Sequence, residues 1–239
     1  MSRTKIEWVK NQDGTQGRTV NPVKGLCPVA CSYCYARAMY KRFKWNPKIR
    51  YDPDAFKGLP SKPSRVFVGS TMELFGSWVE RDWWHMIMAK CLSRSQHTFI
   101  FLTKQPQNLP DKFPDNCWVG VSVTTEVQLR PAIWKLSDIQ CNKRFLSLEP
   151  LLGPVFSQVL PAEWDTDIDW IIIGQQTPIR KETTPKIEWI KEIVEAADNA
   201  EIPVFIKNNL WDTLYSNAWD DDMFWANSKA TLRQEMPIG

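Results

Sequence analysis

Short apolar runs recur along the chain, and Pro, Gly, Asn or Asp bounds each of them. They are rich in β-branched and aromatic residues, as buried strands are. The runs occupy residues 65–71, 98–104, 117–124, 143–151, 169–175 and 203–208. An earlier candidate strand lies at residues 19–22. The pattern predicts a series of short, buried strands.

Amphipathic stretches lie between these runs and predict helices. The clearest occupy residues 80–94, 125–139 and 185–200. In the last stretch, Pro185 stands at the expected first helical position. One face of that helix carries Ile187, Ile190, Ile193 and Val194.

This alternation of strands and helices predicts right-handed βαβ units and a parallel sheet. The expected fold class is α/β, with about six to seven units in a partial or complete TIM-like (β/α) barrel. An open, doubly wound sheet is the alternative. We expect a single domain over residues 1–239. It includes a loop at residues 25–35 and a long, proline-rich irregular connection at residues 44–64. A functional loop and a plain surface loop explain this connection equally well.

Composition narrows the picture only a little. The chain has 239 residues, which suits one large domain or two small ones. It contains no long apolar run of the kind that a membrane helix needs. The first ten residues are polar and charged, without the apolar core of a signal peptide, so we expect a cytoplasmic location.

The net charge of +3 does not by itself indicate a nucleic-acid partner, but the charges are unevenly distributed. Between Tyr35 and Tyr51 there are six cations and no acid. The cations are Arg37, Lys41, Arg42, Lys44, Lys48 and Arg50, interleaved with Tyr40, Phe43 and Trp45. Such a segment suits a partner with phosphates and bases. A solvated amphipathic helix with a basic outer face explains it equally simply.

The strongest chemical signal is the segment CPVACSYC, in which Cys27, Cys31 and Cys34 have C-x3-C-x2-C spacing. Three thiolates this close can hold three irons of a [4Fe–4S] cluster and leave the fourth iron open. A zinc site would want a fourth Cys or His nearby, and His85 and His97 are distant in sequence. A Cys31–Cys34 redox dithiol and chance clustering are the remaining alternatives.

The C-x3-C-x-aromatic-C motif, with Tyr33 before the last cysteine, is the signature of the radical S-adenosylmethionine (SAM) superfamily. The chain from about Trp8 onward resembles bacteriophage-type radical SAM proteins that are distantly similar to spore photoproduct lyases. The matching segments are NPVKG before the cysteines, then VFVGSTMELF, FLTKQP, WVGVSV, RFLSLEPLLGP, DWIIIG and the closing LRQEMP.

The resemblance implies a full or partial TIM-like barrel with the cluster loop after its first strand. It also implies reductive cleavage of SAM, with a flavodoxin or ferredoxin as electron donor. By family analogy, Tyr33 lies near the adenine, and Gly69, Ser70 and Glu73 recognise the SAM amino group. Ser122 and Thr124 would contact the ribose or carboxylate. For Glu73, an acid favoured at a helix N-terminus is an equal alternative. For Ser122 and Thr124, packing inside the barrel is the alternative.

Polar residues follow the apolar runs, as the active face of such a barrel requires. Three charged ones are Lys104, Glu149 and Lys207. We expect them to meet in one cavity and act in catalysis, since buried charges need partners or ligands. A purely structural Lys–Glu–Lys network is the alternative. Three further cysteines, Cys91, Cys117 and Cys141, are assigned to packing.

The sequence thus predicts a radical SAM enzyme that uses a [4Fe–4S] cluster to cleave SAM and abstract hydrogen from a substrate. A nucleic acid base or nucleotide is the first candidate substrate, while a phosphorylated metabolite or a peptide remains open. The alternative from another class is a non-catalytic zinc-binding nucleic-acid module.

Overall fold

The structure is a computed structural model that describes residues 3–155 and 168–237. The chain divides into two compact units. The first unit comprises residues 1–119 and 139–142, and the second comprises residues 120–138 and 143–239. The expected single domain over residues 1–239 stays a prediction, and part of it lies outside the described residues.

Eleven strands and five α-helices are described. The strands are β1 (Arg18–Val20), β2 (Val23–Lys24), β3 (Arg50–Tyr51), β4 (Arg65–Val68), β5 (Thr98–Thr103), β6 (Cys117–Ser122), β7 (Lys143–Leu148), β8 (Trp170–Ile173), β9 (Val204–Ile206), β10 (Trp225–Ala226) and β11 (Thr231–Leu232). The helices are α1 (Tyr35–Phe43), α2 (Arg81–Leu92), α3 (Leu129–Asp138), α4 (Ile187–Asn199) and α5 (Trp211–Asn217).

The α/β class with parallel strands is confirmed. In the first unit, β1 pairs in parallel with β4, and β4 with β5. In the second unit, β7 pairs in parallel with β8, and β8 with β9. The seven larger strands follow one hydrogen-bonded order, β1-β4-β5-β6-β7-β8-β9, which is also their order along the chain.

A complete barrel is not confirmed, because a pairing of β1 with β9 is not part of this order within the described residues. Each of these two strands has a local segment at its second edge. At β1, Arg3 forms an antiparallel bridge with Arg18, and the Thr4 N–H donates to the Gly17 carbonyl at 3.0 Å. At β9, residues 233–235 run antiparallel along the strand, with Ile206 N–H donating to the Arg233 carbonyl at 2.8 Å. Both terminal strands therefore use their second edge for local segments of the chain.

The predicted strands and helices are confirmed, with ends that differ by a few residues. All four residues of β8 are buried, and Trp170 and Phe205 are among the largest fully buried side chains. Helix α4 buries Ile190, Ile193 and Val194, as its periodicity predicts. It begins at Ile187 rather than at Pro185, which precedes the N-cap residue Lys186.

The connection at residues 44–64 is irregular except for β3, which pairs with β2 in an antiparallel ladder. None of the described helices is long and apolar enough to cross a bilayer.

Candidate functional site

The loop that carries the three cysteines begins at Gly25, directly after β2. Gly25 has φ +133°, and a Cβ atom there would lie 2.7 Å from the Ile49 Cα atom, so only glycine fits. Its N–H donates to the Tyr40 hydroxyl of α1 at 2.7 Å. The next residue, Leu26, donates to the Pro47 carbonyl at 2.9 Å. The start of the loop is thus fixed against α1 and the connection that follows it.

The end of the loop leads directly into α1, with Cys34 as the N-cap residue. The Cys34 N–H donates to the Cys31 carbonyl at 3.1 Å. From the first turn of the helix, the Arg37 guanidinium donates to the Cys27 carbonyl at 2.7 Å. The Arg37 Nε atom is buried and has no hydrogen-bond partner among the residues that the structure describes. Helix α1 therefore holds both the first and the last cysteine of the motif.

The three cysteines are half-buried and none is in a disulfide. Burial raises the pKa of the Cys27 thiol, and the neighbouring Glu73 and Cys34 charges raise it further, while backbone hydrogen bonds from Glu73 and Val29 act in the opposite direction. Burial also raises the pKa of Tyr33, together with the charge of Cys31 and a hydrogen bond to its side chain. The motif is therefore one electrostatically connected group of side chains.

The donor set suits an iron–sulfur cluster, although the thiols are not gathered into a closed site. Across residues 3–155 and 168–237, no group of three or more His, Cys, Asp or Glu side chains could hold a metal ion as it stands. Three unpaired thiols on one loop are nevertheless the ligands that such a cluster takes. Backbone N–H groups directed at the Cys27 sulfur are also the hydrogen bonds that adjust a cluster's reduction potential.

The loop after β4 lies beside the end of β1 through Asn21. The Asn21 side-chain oxygen accepts hydrogen bonds from the Ser70 hydroxyl at 3.2 Å and the Thr71 N–H at 3.1 Å. The Ser70 carbonyl accepts from the Tyr35 hydroxyl at 2.5 Å. Gly69 has φ +85°, and a Cβ there would lie 2.6 Å from Leu74, so packing alone requires this glycine. Gly69 and Ser70 therefore both have structural roles, and their predicted contact with SAM stays a prediction.

Glu73 is buried, at 9% exposure, in the turn between β4 and α2 rather than at a helix N-terminus. One carboxylate oxygen accepts from the Phe75 N–H at 3.0 Å and the Thr103 hydroxyl at 2.8 Å. The other oxygen accepts from the Lys104 N–H at 2.8 Å. Since a carboxylate offers about four lone-pair positions, three of them are occupied by the chain itself.

Lys104 follows β5 and its ammonium lies 5.5 Å from the centre of the Tyr33 ring. That distance is within the range of a cation–π contact. In the first unit, therefore, Lys104 is beside the cysteine loop.

In the second unit, Glu149 and Lys207 form an ion pair at 2.5 Å, with side-chain exposures of 15% and 20%. The Ser147 hydroxyl donates to the other Glu149 oxygen at 3.1 Å. A Cβ atom on Gly174 would lie 2.8 Å from the Lys207 Cδ atom. Parallel strands β7, β8 and β9 thus bring these residues together at their carboxyl ends, as the sequence predicts for two of its three charged residues. Their catalytic role, like that of Lys104, stays a prediction.

Ser122 and Thr124 are both buried at the end of β6. The Gln128 side-chain oxygen accepts from the Thr124 N–H at 2.7 Å and the Thr124 hydroxyl at 2.9 Å. The contact of Ser122 and Thr124 with SAM stays a prediction.

Sequence reasoning missed the three amide side chains that organise these strand ends, namely Asn21, Gln128 and Asn209. Asn209 donates to the Gln175 carbonyl at 2.6 Å and to the Thr177 hydroxyl at 3.2 Å. Only Asn21 had a signal, as the first residue of the NPVKG segment. The partners of the other two are set by tertiary contacts.

The remaining cysteines have the positions expected of packing residues. Cys91 and Cys117 are fully buried, and their thiols are hydrogen-bonded to each other. Burial raises the pKa of the Cys91 thiol, with the Cys117 contact acting in the same direction. Cys141 is half-buried.

Comparison with known proteins gives one match. A family described as "Protein of unknown function (DUF5131)" matches residues 3–224. The search of curated proteins and the search of solved structures found no match.

Proposed function

We propose that this chain, which belongs to the DUF5131 family of proteins of unknown function, is a radical SAM enzyme with a [4Fe–4S] cluster on Cys27, Cys31 and Cys34. The observation that carries the proposal is one loop with three thiols outside any disulfide, whose first part is hydrogen-bonded to α1 and whose end leads directly into that helix. A zinc site of the usual four-ligand kind would need another Cys or His beside this loop.

When bound, a cluster with three protein ligands would supply an open iron for SAM and the electron that cleaves its sulfonium bond. The chain's own residues would position these groups. Arg37 holds the Cys27 carbonyl, and the backbone N–H groups of Val29 and Glu73 point at the Cys27 sulfur. These contacts orient Cys27, and the two backbone hydrogen bonds to its sulfur oppose the effect of burial, which raises the pKa of the thiol.

Four residues of the first unit are candidates for binding SAM: Tyr33, Gly69, Ser70 and Glu73. Tyr33 would cover the adenine, which suits an aromatic ring beside the cysteine motif. Glu73 keeps about one lone-pair position beyond its three hydrogen bonds, enough for one contact with an ammonium group. Gly69 and Ser70 would contribute backbone groups.

The finer features of the sequence prediction belong to the same proposal. A partial barrel would leave room at the carboxyl ends of the strands for a substrate. We propose a nucleotide or nucleic acid base as that substrate, a flavodoxin or ferredoxin as electron donor, and the cytoplasm as location, because a reducing compartment keeps thiols available for a cluster.

Anaerobic reconstitution with iron and sulfide tests the cluster. The protein should take up about four iron and four sulfide per chain. Single Cys→Ala changes at Cys27, Cys31 and Cys34 should abolish uptake, whereas Cys141→Ala, at a half-buried cysteine outside the loop, should not. Tight zinc without sulfide in anaerobically purified protein would instead support the zinc-binding module.

SAM cleavage is tested separately. Dithionite-reduced, cluster-loaded protein should convert SAM to 5′-deoxyadenosine and methionine. A fully loaded protein that yields neither product with any reductant would refute the radical assignment. Methylthioadenosine as the product would indicate a different SAM chemistry.

A further inference from the structure

A run of eight consecutive exposed residues follows the middle of α1 and extends into the connection beyond it. We call residues 41–48 the basic–aromatic surface. It contains Lys41, Arg42, Phe43, Lys44, Trp45 and Lys48, with no acidic residue among the eight. Large apolar side chains on an exposed segment call for an explanation, because they lose the stabilisation that burial provides.

The aromatic part of this surface is already ordered as a stack. The Phe43 and Trp45 rings are 5.5 Å apart with an interplanar angle of 24°. Phe43 is 52% exposed and Trp45 is 42% exposed. The buried Tyr40 ring packs against Trp45 in a T-shaped arrangement, at a centroid distance of 5.2 Å. A base could extend this stack without any reorganisation of the backbone.

The turn that presents these rings is held by its own hydrogen bonds. Lys44 closes α1 in the left-handed conformation, with its N–H bonded to the Tyr40 carbonyl. Arg50 donates to the carbonyls of Asn46 and Lys48 at 3.3 and 3.1 Å. The side chain of Arg50 therefore stabilises the turn, and we do not count it among the cations available to a partner.

The remaining cations have no acidic partner within residues 3–155 and 168–237. Lys41, Lys44 and Lys48 are exposed and form no ion pair there, and Arg42 lies 5.3 Å from the Phe43 ring. The nearest acid along the chain, Asp52, is bonded to Lys24 at 2.6 Å. Unpaired cations around a stacked aromatic pair are complementary to phosphates around a stacked base.

Helix α1 connects this surface with the cysteine loop. Its first residue, Tyr35, follows Cys34 and is bonded to Ser70, and its last residue, Phe43, belongs to the basic–aromatic surface. At ~1.5 Å per residue, nine residues span roughly 13 Å. A flexible strand bound at one end of the helix would thus have its next nucleotides within reach of the other end.

From this geometry we infer that the basic–aromatic surface binds a single-stranded polynucleotide. A duplex fits less well, because its bases are already stacked and paired and cannot cover the Trp45 ring. The inference rests on the proposed function in one respect: the bound polynucleotide is taken to contain the base on which the proposed enzyme acts.

Fluorescence anisotropy of a fluorescein-labelled twelve-residue oligothymidylate, added anaerobically to the reconstituted protein, tests the surface. Trp45→Ala should weaken binding by roughly 10-fold or more, since a base–aromatic stack is lost. Trp134→Ala is the matched control, because Trp134 is 63% exposed beside Arg130 but lies outside this surface. Absence of binding at low salt, or equal weakening by both variants, would overturn the inference.

A second variant keeps the test valid if Trp45→Ala fails to fold. Lys41→Gln/Lys44→Gln should lower the slope of log affinity against log salt by about 0.7 for each phosphate contact removed. Lys181→Gln/Lys186→Gln, which removes the same charge from exposed positions elsewhere, should leave the slope unchanged. A duplex that competes as well as the single strand would contradict the single-strand assignment.

The test of oligonucleotide binding can fail or succeed independently of the test of the proposed enzyme activity. If the parent protein binds the oligonucleotide through Trp45 but a loaded cluster never cleaves SAM, the surface stands and the enzyme assignment fails. If SAM is cleaved and the oligonucleotide is not bound, the enzyme assignment stands and the surface is wrong.

Discussion

Glu73 in the first unit and Glu149 in the second are both largely shielded from water, yet different groups compensate their charges. Glu73 accepts hydrogen bonds from two backbone N–H groups and a threonine hydroxyl. Glu149 is paired with the ammonium of Lys207. The first carboxylate is stabilised mainly by backbone N–H groups, whereas the second is stabilised by side chains, the Lys207 ammonium and the Ser147 hydroxyl.

Two arginines differ in the same way. Arg65, in the first unit, is 6% exposed, donates to the Lys10 carbonyl at 2.9 Å and lies 4.4 Å from the Trp118 ring. It forms no ion pair within the described residues. In the second unit, Arg233 is paired with both Asp198 and Glu235. Because the charges are compensated differently, removing one charged side chain should change the free energy of unfolding by different amounts in the two units.

The largest effect is expected at Lys207. Lys207→Met would leave the Glu149 carboxylate in a shielded place without its counter-ion, at a cost of about 3–5 kcal/mol in the free energy of unfolding. The double variant Glu149→Leu/Lys207→Met removes both charges and should recover most of that loss. Urea denaturation measures the free energy of unfolding of both variants, and the m-value should stay unchanged. A double variant no more stable than the single one would show that the ion pair is not the main interaction of Lys207.

Glu73→Gln should have a smaller effect, roughly 1–3 kcal/mol, because the amide keeps one acceptor oxygen and leaves one buried donor unsatisfied. No second substitution can remove the Phe75 and Lys104 N–H donors, since they belong to the backbone. Thr103→Val removes the hydroxyl that donates to Glu73 and accepts from the Gln105 N–H, and it serves as the comparison at about 1–2 kcal/mol. Full rescue of Glu73→Gln by Thr103→Val would contradict this account.

Gly174→Ala tests how closely the backbone of the second unit approaches its ion pair. The added Cβ would lie 2.8 Å from the Lys207 Cδ atom and 3.4 Å from the Glu149 Cβ atom. We expect a loss of about 1–2 kcal/mol from overpacking. The loss should shrink in a Lys207→Ala background, where the Cδ atom is absent, and a double-mutant cycle measures that coupling. If the two losses of stability simply add, the strain does not come from the contact between residue 174 and the Lys207 side chain.

The smallest effect concerns pH. His97 is buried in the first unit, and burial lowers its pKa below the ordinary value of 6.5, with the charge of Arg94 acting in the same direction. The unfolded chain therefore binds a proton more readily than the folded chain, so stability should fall as the pH drops below about 6.5. His97→Gln should flatten this slope, while His85→Gln, at an exposed position, should not. Urea midpoints between about pH 5 and 7 decide the matter.

The sequence predicted the elements of this fold well, because each is a local pattern. The run at residues 169–175 became β8, and residues 185–200 became α4, both from the periodicity of their own side chains. The helix begins two residues after Pro185, since Pro fixes its own backbone angle but does not decide where the first helical hydrogen bond forms. Two edge segments, at Arg3 and at residues 233–235, were missed because they are short and polar.

The candidate site was predicted in part. The cysteine spacing identified the loop, but the donors that hold it, such as Arg37 and Tyr40, depend on how α1 folds back over it. The charged residues after the strands were noticed, and parallel pairing explains why Glu149 meets Lys207. The sequence did not predict the partner of Glu73. Its donor Thr103 is thirty residues away, and their contact depends on the register of β4 against β5.

The cover on the outer edge of β9 also bears on how the protein behaves in concentrated solution. Residues 233–235 bond to the backbone of Val204 and Ile206, and the Glu235 carboxylate accepts a further hydrogen bond from the Val204 N–H at 2.8 Å. Without them, three fully buried apolar residues would form an open edge of the kind that recruits strands from other copies. Deleting residues 233–235 should therefore lower soluble yield and promote aggregation, even though the segment contributes little apolar surface of its own.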